Sequence, residues 1–319
     1  MSCRLWRRSL RGRPQLTDCW MADMKVAIAG SSGLIGVALA DALTEQGHQV
    51  VRLKRGHKDE FGVDWDPPAG WMRPAALDEC DAVVNLCGAS IADGRWSDKR
   101  RRELLSSRVD PARTLVAAMS SESGPKRLVN ASAVGFYGDR GDETLTEKSC
   151  CGSGFLSDLV VRWEAESLKG IESGLSVTCA RFGVVIGKGG ALKRMLLPFK
   201  FGLGGRLGSG RQWFSWVALD DVVAALEHLV INDASEVVNV TAPEPVTNRE
   251  FTKALGRALR RPTLLPIPRL PMRILFGASV DETLFVSQRV VPERLQASGF
   301  EFAHPDITSG VMAAVGKNA

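Results

Sequence analysis

The run AIAGSSGLIG at residues 27–36 is the stretch that most restricts what this chain can fold into. Three glycines, Gly30, Gly33 and Gly36, stand three apart where an apolar segment stops and an amphipathic one, LIGVALADALTEQ at about 34–46, begins. A second apolar strand, HQVVRLK at 48–54, completes a strand–helix–strand unit of about thirty residues. In such a unit the first glycine permits the tight turn, the next lets backbone approach a pyrophosphate, and the last lets the helix pack on the strand. The helix N-terminus then presents free N–H groups and a partial positive charge to the phosphates. Gly30, Ser31, Ser32, Gly33, Leu34, Ile35 and Gly36 are the expected cradle. A tight turn with no ligand is the competing reading.

The pattern beyond this unit alternates. Short apolar segments recur at 61–65 (FGVDW), 82–87 (AVVNLC), 127–132 (RLVNAS) and 175–180 (LSVTCA), and helical stretches at about 98–121 and 155–170 separate the later ones. Strands that are apolar almost throughout, alternating with helices, predict an α/β fold with a doubly wound parallel sheet covered on both faces. After about residue 190 the texture changes. Glycines and aromatics crowd GLGGRLGSGRQWFSW at 202–216, then come a helix near 220–231, a strand VVNVTA, a helix at about 248–260 and the proline-rich PTLLPIPRLP at 262–271. The expected organisation is a nucleotide-binding domain at 24–190 and a smaller, less regular lobe at 191–319, some of whose elements return to the sheet. Ligands of open α/β sheets bind beyond the carboxyl ends of the strands, and the second lobe is expected to close over that edge.

The second strand indicates which dinucleotide. Sites for NAD place an acid there to accept from the ribose 2′-hydroxyl, yet no Asp or Glu occurs between Gln46 and Lys58. Arg52, Lys54 and Arg55 occur instead, and Arg55 lies 19 residues beyond Gly36, at the strand end where a 2′-phosphate would sit. A guanidinium makes paired, charge-assisted bonds to such a phosphate. The expected cofactor is NADP.

Charge and composition exclude other classes. Among 319 residues the net charge is +5, but residues 1–20 hold five arginines and one aspartate, an excess of four. The remaining chain has 36 basic and 35 acidic residues, an excess of one, which does not suit a nucleic-acid-binding body. Its one dense basic cluster, Lys99–Arg102, opens a predicted helix and reads as a solvated face. No apolar run approaches the ~20 residues of a membrane helix. Residues 1–23 read as a disordered extension or an over-called start, and the expected location is cytoplasmic. Organelle targeting by this Arg-rich segment is the alternative. Seven irregularly spaced cysteines argue against a disulfide framework, and the scattered His48, His57, His228 and His304 against a metal site.

The GxxGxxG spacing, with SAVGFYG (132–138), Trp163–Glu164, RFGVVIGKGGALKRMLLPF (181–199), GLGGRLGSG and TAPEPVTNREF (241–251), resembles the extended short-chain dehydrogenase/reductases. Within them the chain is similar to the atypical "epimerase family" oxidoreductases, over about Lys25 to residue 315. The resemblance implies a Rossmann-type domain holding NADP and a C-terminal lobe that forms a substrate pocket for an unidentified small molecule. It further implies that Lys54 and Arg55, then Leu86, Cys87 and Gly88, Glu103 and Arg108, Ala131 and Val185 line the cofactor.

The superfamily's usual catalytic pair, a tyrosine and a lysine four residues on, is missing. Its expected positions fall in FLSDLVVRWEAE (155–166), at Asp158 and Arg162. The usual serine or threonine is Ala133, and Ser132, one position earlier in a strand, points to the opposite face. The only tyrosine is Tyr137, the first candidate for proton transfer, with Ser132, Asp158, Glu147 or a carboxylate of the second lobe as further substitutes; a structural role for Tyr137 is the competing reading. Losing general acid–base help costs typically ~10²–10⁴ in rate and need not abolish hydride transfer. An atypical oxidoreductase or epimerase and a non-catalytic, redox-sensing NADPH binder both remain open. Trp213, Phe214 and Trp216 read equally as pocket lining or as core of the second lobe.

Overall fold

Strand β1 (Lys25–Ala29) is buried from Val26 onward, as a strand at the middle of a parallel sheet must be. A computed structural model describes residues 23–57, 60–121, 124–200, 202, 204–232, 237–277 and 279–316; the expected N-terminal extension, residue 23 apart, lies outside the described residues. The sheet has six parallel strands: β1, β2 (Gln49–Leu53), β3 (Ala82–Asn85), β4 (Arg127–Ala133), β5 (Ser176–Phe182) and β6 (Val237–Val240). Their order is β6-β5-β4-β3-β1-β2. Register follows from pairs such as Val26 with Val50 on one side and with Ala82 on the other. This is a Rossmann-like sheet, and the last strand comes from beyond residue 190.

The chain steps outward from β1 to β2, then crosses back to β3 and continues through β4 and β5. Right-handed crossovers therefore set helix α1 (Leu34–Glu45) on one face and α2 (Asp98–Met119) and α3 (Phe155–Glu172) on the other. The reversal lies between β1 and β3, and the crevice at their carboxyl ends is where such sheets bind ligands. A fourth helix, α4 (Gly190–Lys200), follows β5, and α5 (Leu219–Ile231) packs beside α1.

The expected strand at 61–65 shrinks to Trp65–Asp66, which pairs antiparallel with Trp71–Met72 and meets β2 only through a bridge from Trp65 to Arg55. Gly62 has φ 75°, a left-handed conformation no strand continues through. Asp64 then spends its carboxylate on the Lys54 N–H, 2.8 Å away, and on Arg73.

The second lobe has its own core around Trp216, which is fully buried and lies against Gly310 of the C-terminal helix Ile307–Val315. The Trp216 indole donates to the Glu244 carbonyl at 3.2 Å. Helix α6 (Asn248–Leu259) enters through a full capping box: Thr247 accepts from the Glu250 N–H, and Glu250 accepts in return from the Thr247 N–H. Phe214 packs on Phe251 of this helix, with centroids 4.6 Å apart. Trp216 and Phe214 are thus core residues, whereas Trp213 bridges outward to Asp142 at 2.8 Å. Trp216→Ala should cost about 3–5 kcal/mol, because it empties a fully enclosed site. A urea titration followed by far-UV circular dichroism reads this as a lowered midpoint.

Candidate functional site

The glycine turn and the loop after β3 meet at the crevice. Gly30 has φ 79°, and a Cβ there would stand 2.8 Å from the Leu86 carbonyl, so the two loops are in backbone contact. The Leu86 N–H donates to the Ala29 carbonyl at 2.9 Å. Gly36 is equally closed, since a Cβ would collide with the Gly30 carbonyl. Gly33 differs: a Cβ there would meet only the Gly30 carbonyl, at 3.4 Å, an ordinary contact. Protein packing therefore requires glycine at 30 and 36, while at 33 the missing side chain leaves an exposed opening. Gly33 is also the N-cap of α1, with no side-chain cap and no acid in the first turn. The first N–H groups of α1 thus face that opening with a positive dipole end and no carboxylate to compete. Ser31 is half-buried and Ser32 exposed at the turn, while Leu34 lies against Gly189 and Gly190 beyond β5.

Cations gather around this opening. Arg52 reaches the Ser31 carbonyl at 3.4 Å and pairs with Asp41 at 3.3 Å. Arg55 is exposed and has no acidic partner among the described residues. Its charge acts on Cys87, whose thiol burial pushes up to about 12 while Arg55 pulls the other way. That interaction places the guanidinium near the end of β3. Lys54 is exposed beside it.

On the far side of the loop, Arg108 is buried with no carboxylate partner among the described residues. Burial and repulsion from Arg100 lower its pKa to about 10, so it stays charged at neutral pH. It donates to the carbonyls of Leu104 at 3.0 Å and Ala89 at 2.9 Å and lies over the Trp163 ring, 5.4 Å from the centroid. A Cβ at position 88 would stand 3.0 Å from this guanidinium, so Gly88 lets the loop run across it. The loop is held by an asparagine relay: Asn130 accepts from Asn85 at 2.7 Å, and Asn85 accepts from the Cys87 N–H at 3.1 Å. These two asparagines were signalled in the sequence only as single polar residues inside otherwise apolar strands. Leu86 is half-buried at the crevice and Ala131 buried in β4; Val185, half-buried beyond β5, pairs with Val217. Glu103 stands apart, exposed and paired with Arg100 at 2.8 Å.

The proton-transfer candidates lie elsewhere. Tyr137 is fully enclosed; its hydroxyl donates to Asn239 at 2.8 Å and accepts from Arg181 at 3.0 Å. Arg181 grips Glu164 through two bonds of 2.7 Å, and Glu164 also accepts from Ser132 at 2.5 Å. Burial raises the Tyr137 pKa, with Arg181 pulling it down. Tyr137 and Ser132 are thus linked through Arg181 and Glu164, inside a sealed network rather than in the crevice. Asp158 and Arg162 are both exposed on α3. Near the start of α3 a cavity of about 60 Å³ is lined by Gly135, Leu156, Ser157, Gln288 and Glu282. Glu282, from the second lobe, accepts the Leu156 N–H at 2.8 Å and so caps α3 from outside. Among the described residues no group of three or more His, Cys, Asp or Glu could hold a metal.

A six-stranded parallel sheet with a glycine turn at its switch point is the Rossmann-like fold of the short-chain dehydrogenase/reductases. The model of the NAD dependent epimerase/dehydratase family matches residues 26–241, and that of a domain of unknown function, DUF1731, matches residues 267–313. The chain belongs to this epimerase family. It is 46% identical over 290 residues to the epimerase family protein Mb2239 of Mycobacterium bovis, covering 90% of this chain and 96% of that one. The crystal structure of the human epimerase family protein SDR39U1 with NADPH superposes with a TM-score of 0.84 at 32% identity, over 93% of this chain and 100% of that one. A nucleoside-diphosphate sugar epimerase from Corynebacterium glutamicum gives 0.76 at 32% identity, over 92% of this chain and 59% of that one.

Arg181→Met should be severely destabilising, by about 3–5 kcal/mol, because it strands a buried carboxylate. Tyr137→Phe should cost less, about 1–3 kcal/mol, by leaving the Arg181 and Asn239 partners unpaired. Thermal unfolding of both variants beside the parent tests the ranking.

Proposed function

We propose that the chain binds NADPH in the crevice and acts as an oxidoreductase or epimerase-like enzyme of atypical mechanism on a small molecule. One observation carries the cofactor reading: an exposed, acid-free α1 N-terminus with Arg52 on the Ser31 carbonyl of its turn and an exposed Arg55 just past β2. Gly33, Leu34 and Ile35 would hold the pyrophosphate through backbone N–H groups, and Arg55 with Lys54 would hold the 2′-phosphate. Arg108, a buried cation with no carboxylate, would offset further negative charge of the bound cofactor. The human relative crystallised with NADPH supports the same reading. NADPH supplies hydride; the chain's own contribution is positioning and exclusion of water.

The sealed state of Tyr137 and the exposure of Asp158 and Arg162 bear on the chemistry. The hydroxyl already has a donor and an acceptor within the protein, so using it would require breaking the Arg181 network. A second reading follows from this observation: an NADPH-binding protein that reports redox state to a partner. The two separate in a screen of carbonyl compounds and sugar nucleotides followed by NADPH fluorescence. Decay with any of them establishes the enzyme, whereas tight binding with no decay favours the sensor.

Titration with NADPH and NADH should show preference for NADPH. Arg55→Glu should weaken NADPH by about 10- to 100-fold, the worth of a charge-assisted contact, and leave NADH little changed. Equal affinity for both cofactors in the parent, or no binding of either, would overturn the cofactor reading.

A further inference from the structure

A second surface, remote in sequence from the glycine turn, has no part in the function above. The outer face of α6 and the turn after it carry Lys253, Arg257, Arg260 and Arg261, all exposed. With Gly256, Pro262 and Thr263 they line an open groove of about 490 Å³. None of the four forms an ion pair among the described residues. From residue 249 to 276 there are seven basic residues and one acid, Glu250, an excess of six. Two of the seven, Arg269 and Arg273, are engaged by Asp281, which leaves the groove cations as the free charge.

Apolar side chains follow this groove along the chain. Leu264 is 87% exposed, Leu265 65%, and helix α7 (Arg269–Phe276) adds Leu270, Ile274 and Leu275 at 63–69%. Five large aliphatic side chains turned to solvent along one short segment mark an interaction surface. The backbone behind them is pinned: Ile267 donates to the Arg206 carbonyl at 2.8 Å and accepts from the Gly208 N–H at 2.9 Å. Arg95 donates to the carbonyls of Ile274 and Leu275 at the far end of α7. The side chains are therefore presented outward by a fixed scaffold.

We propose that this basic and apolar surface docks on an anionic lipid bilayer. Exposed aliphatic residues entering the acyl boundary, beside cations that meet acidic head groups, is the chemistry of interfacial attachment. Charge selects this occupant. A second copy seated on the same face would bring two sets of unpaired arginines together, whereas an anionic membrane complements them. The aliphatic residues protrude from a helix and a turn, a shape a bilayer accepts without a preformed groove. No described helix is long and apolar enough to cross a membrane, so attachment is peripheral.

The test is flotation of the full chain with phosphatidylcholine vesicles and with mixed phosphatidylcholine–phosphatidylglycerol vesicles, at low and high salt. The parent should float only with the mixed vesicles and release as salt rises. The triple variant Arg257→Ala, Arg260→Ala, Arg261→Ala should lose about a hundred-fold in partitioning. The double variant Leu270→Glu, Ile274→Glu should lose flotation with the mixed vesicles at low salt. Unchanged circular dichroism and melting would show that both variants fold. Three results would overturn the proposal: no flotation with the mixed vesicles, equal flotation with both kinds, or flotation by the variants equal to the parent. So would a dimer in light scattering that the double variant dissolves, or salt-sensitive retention of duplex DNA without flotation.

Discussion

The buried pair between Glu164 and Arg181 holds together parts of the chain that nothing local would join. Both of its bonds are 2.7 Å long, and it lies where water cannot compensate either charge. Through Ser132 it fixes the end of β4, through Tyr137 and Asn239 it reaches β6, and through Glu164 itself it fixes α3. The Arg181 guanidinium also lies on the Phe136 ring, 3.4 Å from the centroid. Removing one partner of such a pair costs far more than the pair adds over an apolar replacement. The network's contribution is therefore to specify one arrangement of the sheet's carboxyl edge, on which the crevice depends.

That edge then divides into two regions with different electrostatics. On the β1 side, N–H groups and arginines face outward, and no carboxylate among the described residues answers Arg55 or Arg108. On the α3 side, carboxylates bridge the two lobes: Glu282 of the second caps the helix, and Asp139 of the first accepts from the Ser287 N–H of the second at 3.3 Å. A bound anion is welcome in the first region, and the acids near the second are occupied in holding the lobe in place. This division keeps the glycine turn and its neighbouring arginines independent of the α3 positions, Asp158 and Arg162.

Legibility in the sequence tracked the distance over which each feature is assembled. The glycine turn, α1 and β2 are made by neighbours, so spacing and hydrophobic pattern sufficed for Gly30, Gly33 and Gly36. Arg55 was legible for the same reason, by its place at the end of a strand whose start was already known. The strand expected at 61–65 failed locally: Gly62 and Asp64 were visible as turn chemistry but were read as part of an apolar run. Tyr137 was beyond reach, because its partners lie 44 and 102 residues away and only the sheet order brings them together. Arg108 could be placed on a helix, but its burial without an acid depends on how α2 lies across the loop at Gly88.

The reduction of the strand beyond β2 to one bridge has a consequence of its own. With only Arg55 bridged to Trp65, most of β2 borders solvent along its outer side and carries backbone groups able to pair with another chain. Its exposed side chains are Gln49 and Arg52, with Lys54 just past its end. Charges on an open strand disfavour its pairing with a second copy. The basic residues beside the crevice thus act as guards against edge-to-edge aggregation. Neutral replacements there would strip the edge of its protection.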